Sequence, residues 1–105
     1  MMLVKWLTER DPRIIEVHPE VSFRAMLERE LEYPKNSWNG QLLRRSTLAQ
    51  HGIVFTDFLA EGGEVPVADV LDAGAAAWSA RRFVLGQALS LPENALRDQR
   101  EVIWY

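Results

Sequence analysis

Asp69-Val70-Leu71-Asp72-Ala73-Gly74-Ala75-Ala76-Ala77-Trp78 carries two acids followed by a run with almost no side-chain bulk. No breaker other than glycine interrupts Val67 to Leu89, which predicts the longest helix of the chain, about 30 Å or more at about 1.5 Å per residue. The small residues let its backbone lie close against a flat partner such as a sheet, and this points to an α/β fold. Asp69 and Asp72 are spaced to share a helical face, with roughly 5–6 Å between their Cβ atoms. Such a pair suits a hard cation such as magnesium, which takes oxygen ligands and keeps several waters. The same acids also suit a helix start through the macrodipole alone, and the spacing leaves both readings open.

The sheet is sought upstream, where Asp11-Pro12 breaks an opening helix and Arg13 to Val17 reads as a strand of β-branched residues. Ile15 and Val17 then share one face, and Ile14, Glu16 and His18 the other. Open α/β sheets hold ligands at the carboxyl ends of their strands, and Glu16, His18 and Glu20 arrive at that end. Against this, Glu16 suits an edge strand facing water, and Glu20 suits a helix first turn. His18 suits a hydrogen-bonding loop residue as well as a ligand.

Pro19 fits the first position of a helix running to about Leu31. Tyr33 to Asn36 reads as a loop, and a second helix is expected from Trp38 to Gln50, stopped by Gly52. Ile53-Val54-Phe55 is either a short strand or the lead into a weak helix over Thr56 to Ala60. Glu61 to Pro66 reads as a loop, Leu91-Pro92-Glu93 as the end of the long helix, and Arg97 to Gln99 as a loop. Val102 to Tyr105 is a terminal strand or a docked apolar tail. The count comes to one clear strand, up to two more, and three or four helices, so strands are short for the helices present.

At 105 residues, 48% of them apolar, the chain makes one domain at most and has enough apolar material for a core. A net charge of −3 argues against holding nucleic acid by bulk electrostatics. The absence of cysteine excludes disulfides, thiolate zinc sites and cysteine nucleophiles, and fits a reducing compartment. No apolar run reaches the roughly 18 residues that span a bilayer, and Met1 to Leu7 lacks the long apolar centre of a signal peptide. A cytoplasmic location without a membrane partner is expected.

Lys35, Arg44, Arg45, Arg81 and Arg82 are the candidates for phosphate contacts, although Arg44-Arg45 and Arg81-Arg82 read better as solvated helix faces. Trp6, Trp38, Trp78 and Trp104 are too dispersed for a base-stacking platform. There is no glycine-rich phosphate loop, no paired metal histidines and no serine nucleophile motif. His51 beside Gly52 reads as a helix C-terminal residue.

Glu16-Val17-His18-Pro19-Glu20-Val21-Ser22-Phe23, followed by Lys35, Gly40 and Arg44, resembles the middle of the domain of unknown function 429 family, described as predicted RNase H-like nucleases. Asp69 to Ala73, Ala76-Ala77-Trp78 and Ala80-Arg81 resemble its last helix block, and Ile103-Trp104-Tyr105 its usual end. The ordered matches run from about residue 13 to 105. In that family an opening strand with a Gly-Val-Asp-Gly type motif and a later Asp-Ile-Pro type motif come first, and neither occurs in this sequence.

The resemblance therefore implies a partial RNase H-like domain over residues 1–105, its C-terminal half, with 1–12 as the end of a preceding helix. The activity it implies is phosphodiester hydrolysis with Mg²⁺ or Mn²⁺ on a nucleic-acid substrate. Glu16, Asp69 and Asp72 would be the catalytic metal ligands, with His18 and Glu20 behind them and Lys35 and Arg44 on substrate. Because an opening-strand aspartate is missing, the chain is expected to be inactive alone. The other expectations are an interaction module that dimerises or complements an N-terminal half, and a nucleotide-binding or phosphohydrolase domain on the same scaffold.

Overall fold

The computed structural model describes residues 14–55, 64–97, 99 and 101–105. The expected opening helix, Arg13, the weak helix over Thr56 to Ala60 and the glycines of the following loop lie outside those residues. Among the described residues the fold is mixed α/β, with three helices and a small three-stranded sheet. In chain order these are β1 (Glu16–Val17), α1 (Pro19–Leu27), α2 (Trp38–Gln50), α3 (Val67–Val84), β2 (Ser90–Leu91) and β3 (Ile103–Trp104). No helix among them is long and apolar enough to cross a membrane.

β3 lies in the middle of the sheet. It runs parallel to β1, with Glu16 opposite Ile103 and Val17 opposite Trp104, and antiparallel to β2, with Ser90 opposite Trp104. Leu89 and Tyr105 continue the second pairing by exchanging backbone bonds of 2.6 and 3.0 Å. Val102 to Tyr105 thus supplies a true strand and pairs one edge of β1. Ile53 to Phe55 forms no strand, and β2 arises where the end of a helix was expected.

Two helices stop earlier than their patterns suggest. α1 ends at Leu27 because Glu28 turns left-handed, with φ of 58°, which starts the return of the chain toward α2. α3 ends at Val84 because Gly86 takes φ of 74°. Its neighbours then satisfy the last carbonyls, Gly86 N–H donating to Phe83 and Gln87 N–H to Arg82. α2 keeps its expected span, capped by Ser37 Oγ accepting from Gly40 N–H at 3.0 Å and followed by Gly52 at φ of 85°.

The small-residue stripe of α3 does not lie on the sheet. A Cβ built on Gly74 would stand 3.0 Å from the Phe55 ring and 3.1 Å from Leu48. Ala75 and Leu71 share a core with Phe23 and Met26 of α1 and Leu48 of α2. The stripe therefore serves close helix–helix approach. At the α1–α3 contact the buried hydroxyls of Ser22 and Ser79 meet at 2.6 Å. Only the far end of α3 reaches the sheet: Phe83 packs edge-to-face on Trp104 in a second core with Val102, Ile15 and Val17.

Candidate functional site

β1 and the turn after it present Glu16 and His18 side by side. His18 Nε2 lies 3.2 Å from Glu16 Oε1, and both side chains are about half exposed.

Glu20 turns elsewhere. Proline at the helix start and an acid in the first turn suit the amino end of α1, and from there the carboxylate reaches α2. Arg44 Nη2 donates to Glu20 Oε2 at 2.9 Å and to Oε1 at 3.1 Å, and Nε adds a longer bond to Oε1. Arg44 Nη1 donates to the carbonyls of Tyr33 and Gly40, each at 3.0 Å. The guanidinium lies over the Phe23 ring, and the residue is 3% exposed.

These bonds correct two expectations. Arg44 is not placed to take a substrate phosphate, because burial shields it and its donors already hold α1, the 30–35 segment and its own helix together. Glu20 does not stand behind Glu16, because the fork of Arg44 fixes its carboxylate on the α2 side.

Lys35 and Asp72 meet each other. Lys35 Nζ is 3.5 Å from Asp72 Oδ2, with Lys35 half exposed and Asp72 largely covered. Asp69 is exposed in the first turn of α3. The pairing of Lys35 with Asp72 links the 30–35 segment to α3 as Arg44 links it to α2.

The three proposed metal ligands are not gathered. Ser79 is the α3 residue that meets α1 just after β1, and it lies about 10 Å further along the helix axis than Asp72 at about 1.5 Å per residue. Phe83, beside the sheet, is further still. Asp69 and Asp72 thus sit toward one end of α3 and β1 toward the other. No group of three or more His, Asp or Glu residues able to hold a metal ion occurs among the described residues. This donor set does not fit a resident Mg²⁺ or Mn²⁺ shared by Glu16, Asp69 and Asp72.

One surface was not anticipated from the sequence. Past the middle of α3, Val84 is 77% exposed, Leu85 54%, Leu89 59% and Leu96 70%. Leu89 directly precedes β2, an edge of the sheet among the described residues, and Ala95, next to Leu96, donates its N–H to Ser90 of β2. The uninterrupted helix pattern read through Leu89 hid them; the signal available was Gly86, which ends that helix.

No curated protein and no solved structure matches the chain. A family model does: the one described as protein of unknown function (DUF429) matches residues 2–97, nearly the whole sequence. The chain belongs to the DUF429 family.

Proposed function

We propose that the chain is an interaction module that associates with a second copy of itself, and that it is not a self-sufficient catalyst. The observation that carries this reading is the group of large apolar side chains exposed between residues 84 and 96 beside the β2 edge. Exposed apolar surface of this kind marks interfaces, and a strand edge is a template for pairing. An edge strand meeting its own copy antiparallel about a two-fold axis repeats the same contacts on both sides. Exposed Glu93 and Arg97 follow β2 in the chain, so this stretch carries both signs of charge. Light scattering on the purified chain tests this. A dimer at micromolar concentration that Leu85→Glu with Leu89→Glu converts to monomer supports it; a monomeric parent chain overturns it.

A second reading is RNase H-like phosphodiester hydrolysis with Mg²⁺ or Mn²⁺. The observation that favours it is the Glu16–His18 pair at the carboxyl end of a parallel strand. Since Asp69 and Asp72 are not brought to that pair, no step is assigned to a metal ion, and hydrolysis would belong to an assembly that supplies further carboxylates. Purified chain offered single-stranded, duplex and hybrid nucleic acid with either ion is expected to leave them intact. Cleavage lost in Asp72→Ala would contradict that expectation.

A further inference from the structure

A cleft of about 490 Å³ opens between α1, the 30–35 segment and Arg44. Its volume lies within the range typical of small-molecule sites, about 300–1,000 Å³. Val21, Leu31 and Tyr33 give it apolar walls, and Tyr33 is 41% exposed.

The charges around it differ in how firmly they are held. Glu20 is fixed, because buried Arg44 grips both of its oxygens. Oε1 takes two of the Arg44 bonds and Oε2 only one. A carboxylate has about four acceptor positions, so Oε2 keeps room for a further donor. Arg24 and Lys35 are held loosely. Arg24 meets Glu30 at 3.3 Å and Lys35 meets Asp72 at 3.5 Å, with both cations about half exposed. Exposed pairs of this kind contribute little, so either cation can turn to a ligand at small cost.

We infer that this cleft binds a small zwitterion of α-amino-acid type. Its ammonium donates to Glu20 Oε2, its carboxylate takes Arg24 and Lys35, and its side chain lies along Tyr33 and Leu31. A preorganised acceptor on one side and movable cations on the other match the two charges of such a ligand. A simple anion would face the fixed carboxylate, and a simple cation would engage only the Glu20 side of the cleft, with Arg24 and Lys35 left in their weak pairs with Glu30 and Asp72. This inference is independent of the dimer reading, since it uses none of the side chains between residues 84 and 96.

The test is an NMR titration of the full chain with three probes sharing one ring. L-Phenylalanine carries both charges, phenethylamine only the ammonium and 3-phenylpropionate only the carboxylate. Saturable shifts at the Glu20 and Tyr33 amides are expected with L-phenylalanine, at a Kd about tenfold or more below that of either analogue. Glu20→Gln should abolish the effect, but it also loosens Arg44. The double variant Arg24→Met, Lys35→Met therefore decides the matter, because both side chains are half exposed. It should weaken L-phenylalanine about tenfold and leave phenethylamine unchanged. Absence of saturable shifts to about 10 mM, equal binding of 3-phenylpropionate, or indifference to the double variant would overturn the inference.

Discussion

Arg44 shows how much one side chain can decide at the scale of a residue. As a lone cation in a loop or on a helix face it would suit a phosphate; at 3% exposure, with Glu20 and two carbonyls on its nitrogens, it is a brace. Replacing it by methionine keeps much of the packing on Phe23 but leaves the Tyr33 carbonyl without the Arg44 donor. The cost of breaking a buried pair is reduced here, because Glu20 is half exposed and can be rehydrated. Arg44→Met should therefore destabilise by about 2 kcal/mol in urea unfolding. Lys35→Met removes only a long, half-exposed pair and should change stability by less than about 1 kcal/mol. An Arg44→Met effect as small as that of Lys35→Met would show that Arg44 is no brace. The Glu20–Arg44 pair could not be read from the sequence, since the partners stand on different helices and nothing in their local patterns sets the crossing of α1 and α2.

Among the elements, the helices were legible where the local chemistry was decisive. The expected helix from Trp38 to Gln50 with its stop at Gly52 is kept as α2, and its start is capped by Ser37, a signal the sequence reading did not use. The ends of α1 and α3 were missed for different reasons. Glu28 is not a residue that favours positive φ, so its left-handed turn is imposed by the need to carry Tyr33 back to Arg44. Gly86 did signal a stop, but the apolar pattern through Leu89 outweighed it. β2 was invisible, because Ser90-Leu91 is too short to show alternation and gains its identity only by pairing with β3.

The acid spacing on α3 put Asp69 and Asp72 correctly in its first turns. What the sequence could not show is that the small stripe behind them faces α1 and α2, which leaves β1 to the other end. Gly40 offers a test of the close packing that results. A Cβ there would stand 1.8 Å from the Pro34 carbonyl oxygen, and backbone cannot swing aside as a flexible side chain can. Gly40→Ala should cost about 3 kcal/mol or more and lower the melting temperature visibly. Gly52→Ala, with nothing near its Cβ but φ of 85°, should cost only about 1 kcal/mol. Thermal unfolding that ranks these two the other way would contradict the packing described at α2.

At the scale of the molecule, two cores among the described residues share α3. One lies among the three helices around Phe23, Leu48 and Ala75, and the other joins Phe83 to the sheet. The sequence offered few strands for its helices and a small-residue stripe suited to lie on a sheet. The structure pairs β3 with one edge of β1 and packs helices on Gly74 and Ala75 of the stripe. The proposed self-association rests on the surface past Val84, where large apolar side chains are exposed. A single charge there should act on association without touching the cores: Leu96→Lys, at a position 70% exposed, is expected to weaken self-association while changing monomer stability by less than about 0.5 kcal/mol.

Sedimentation equilibrium tests the central claim most directly, run on the chain and on Leu85→Glu with Leu89→Glu across the micromolar range. A reversible dimer is expected for the chain and a folded monomer for the double variant, with far-ultraviolet circular dichroism unchanged. A monomeric parent chain, or a dimer indifferent to both glutamates, would contradict it.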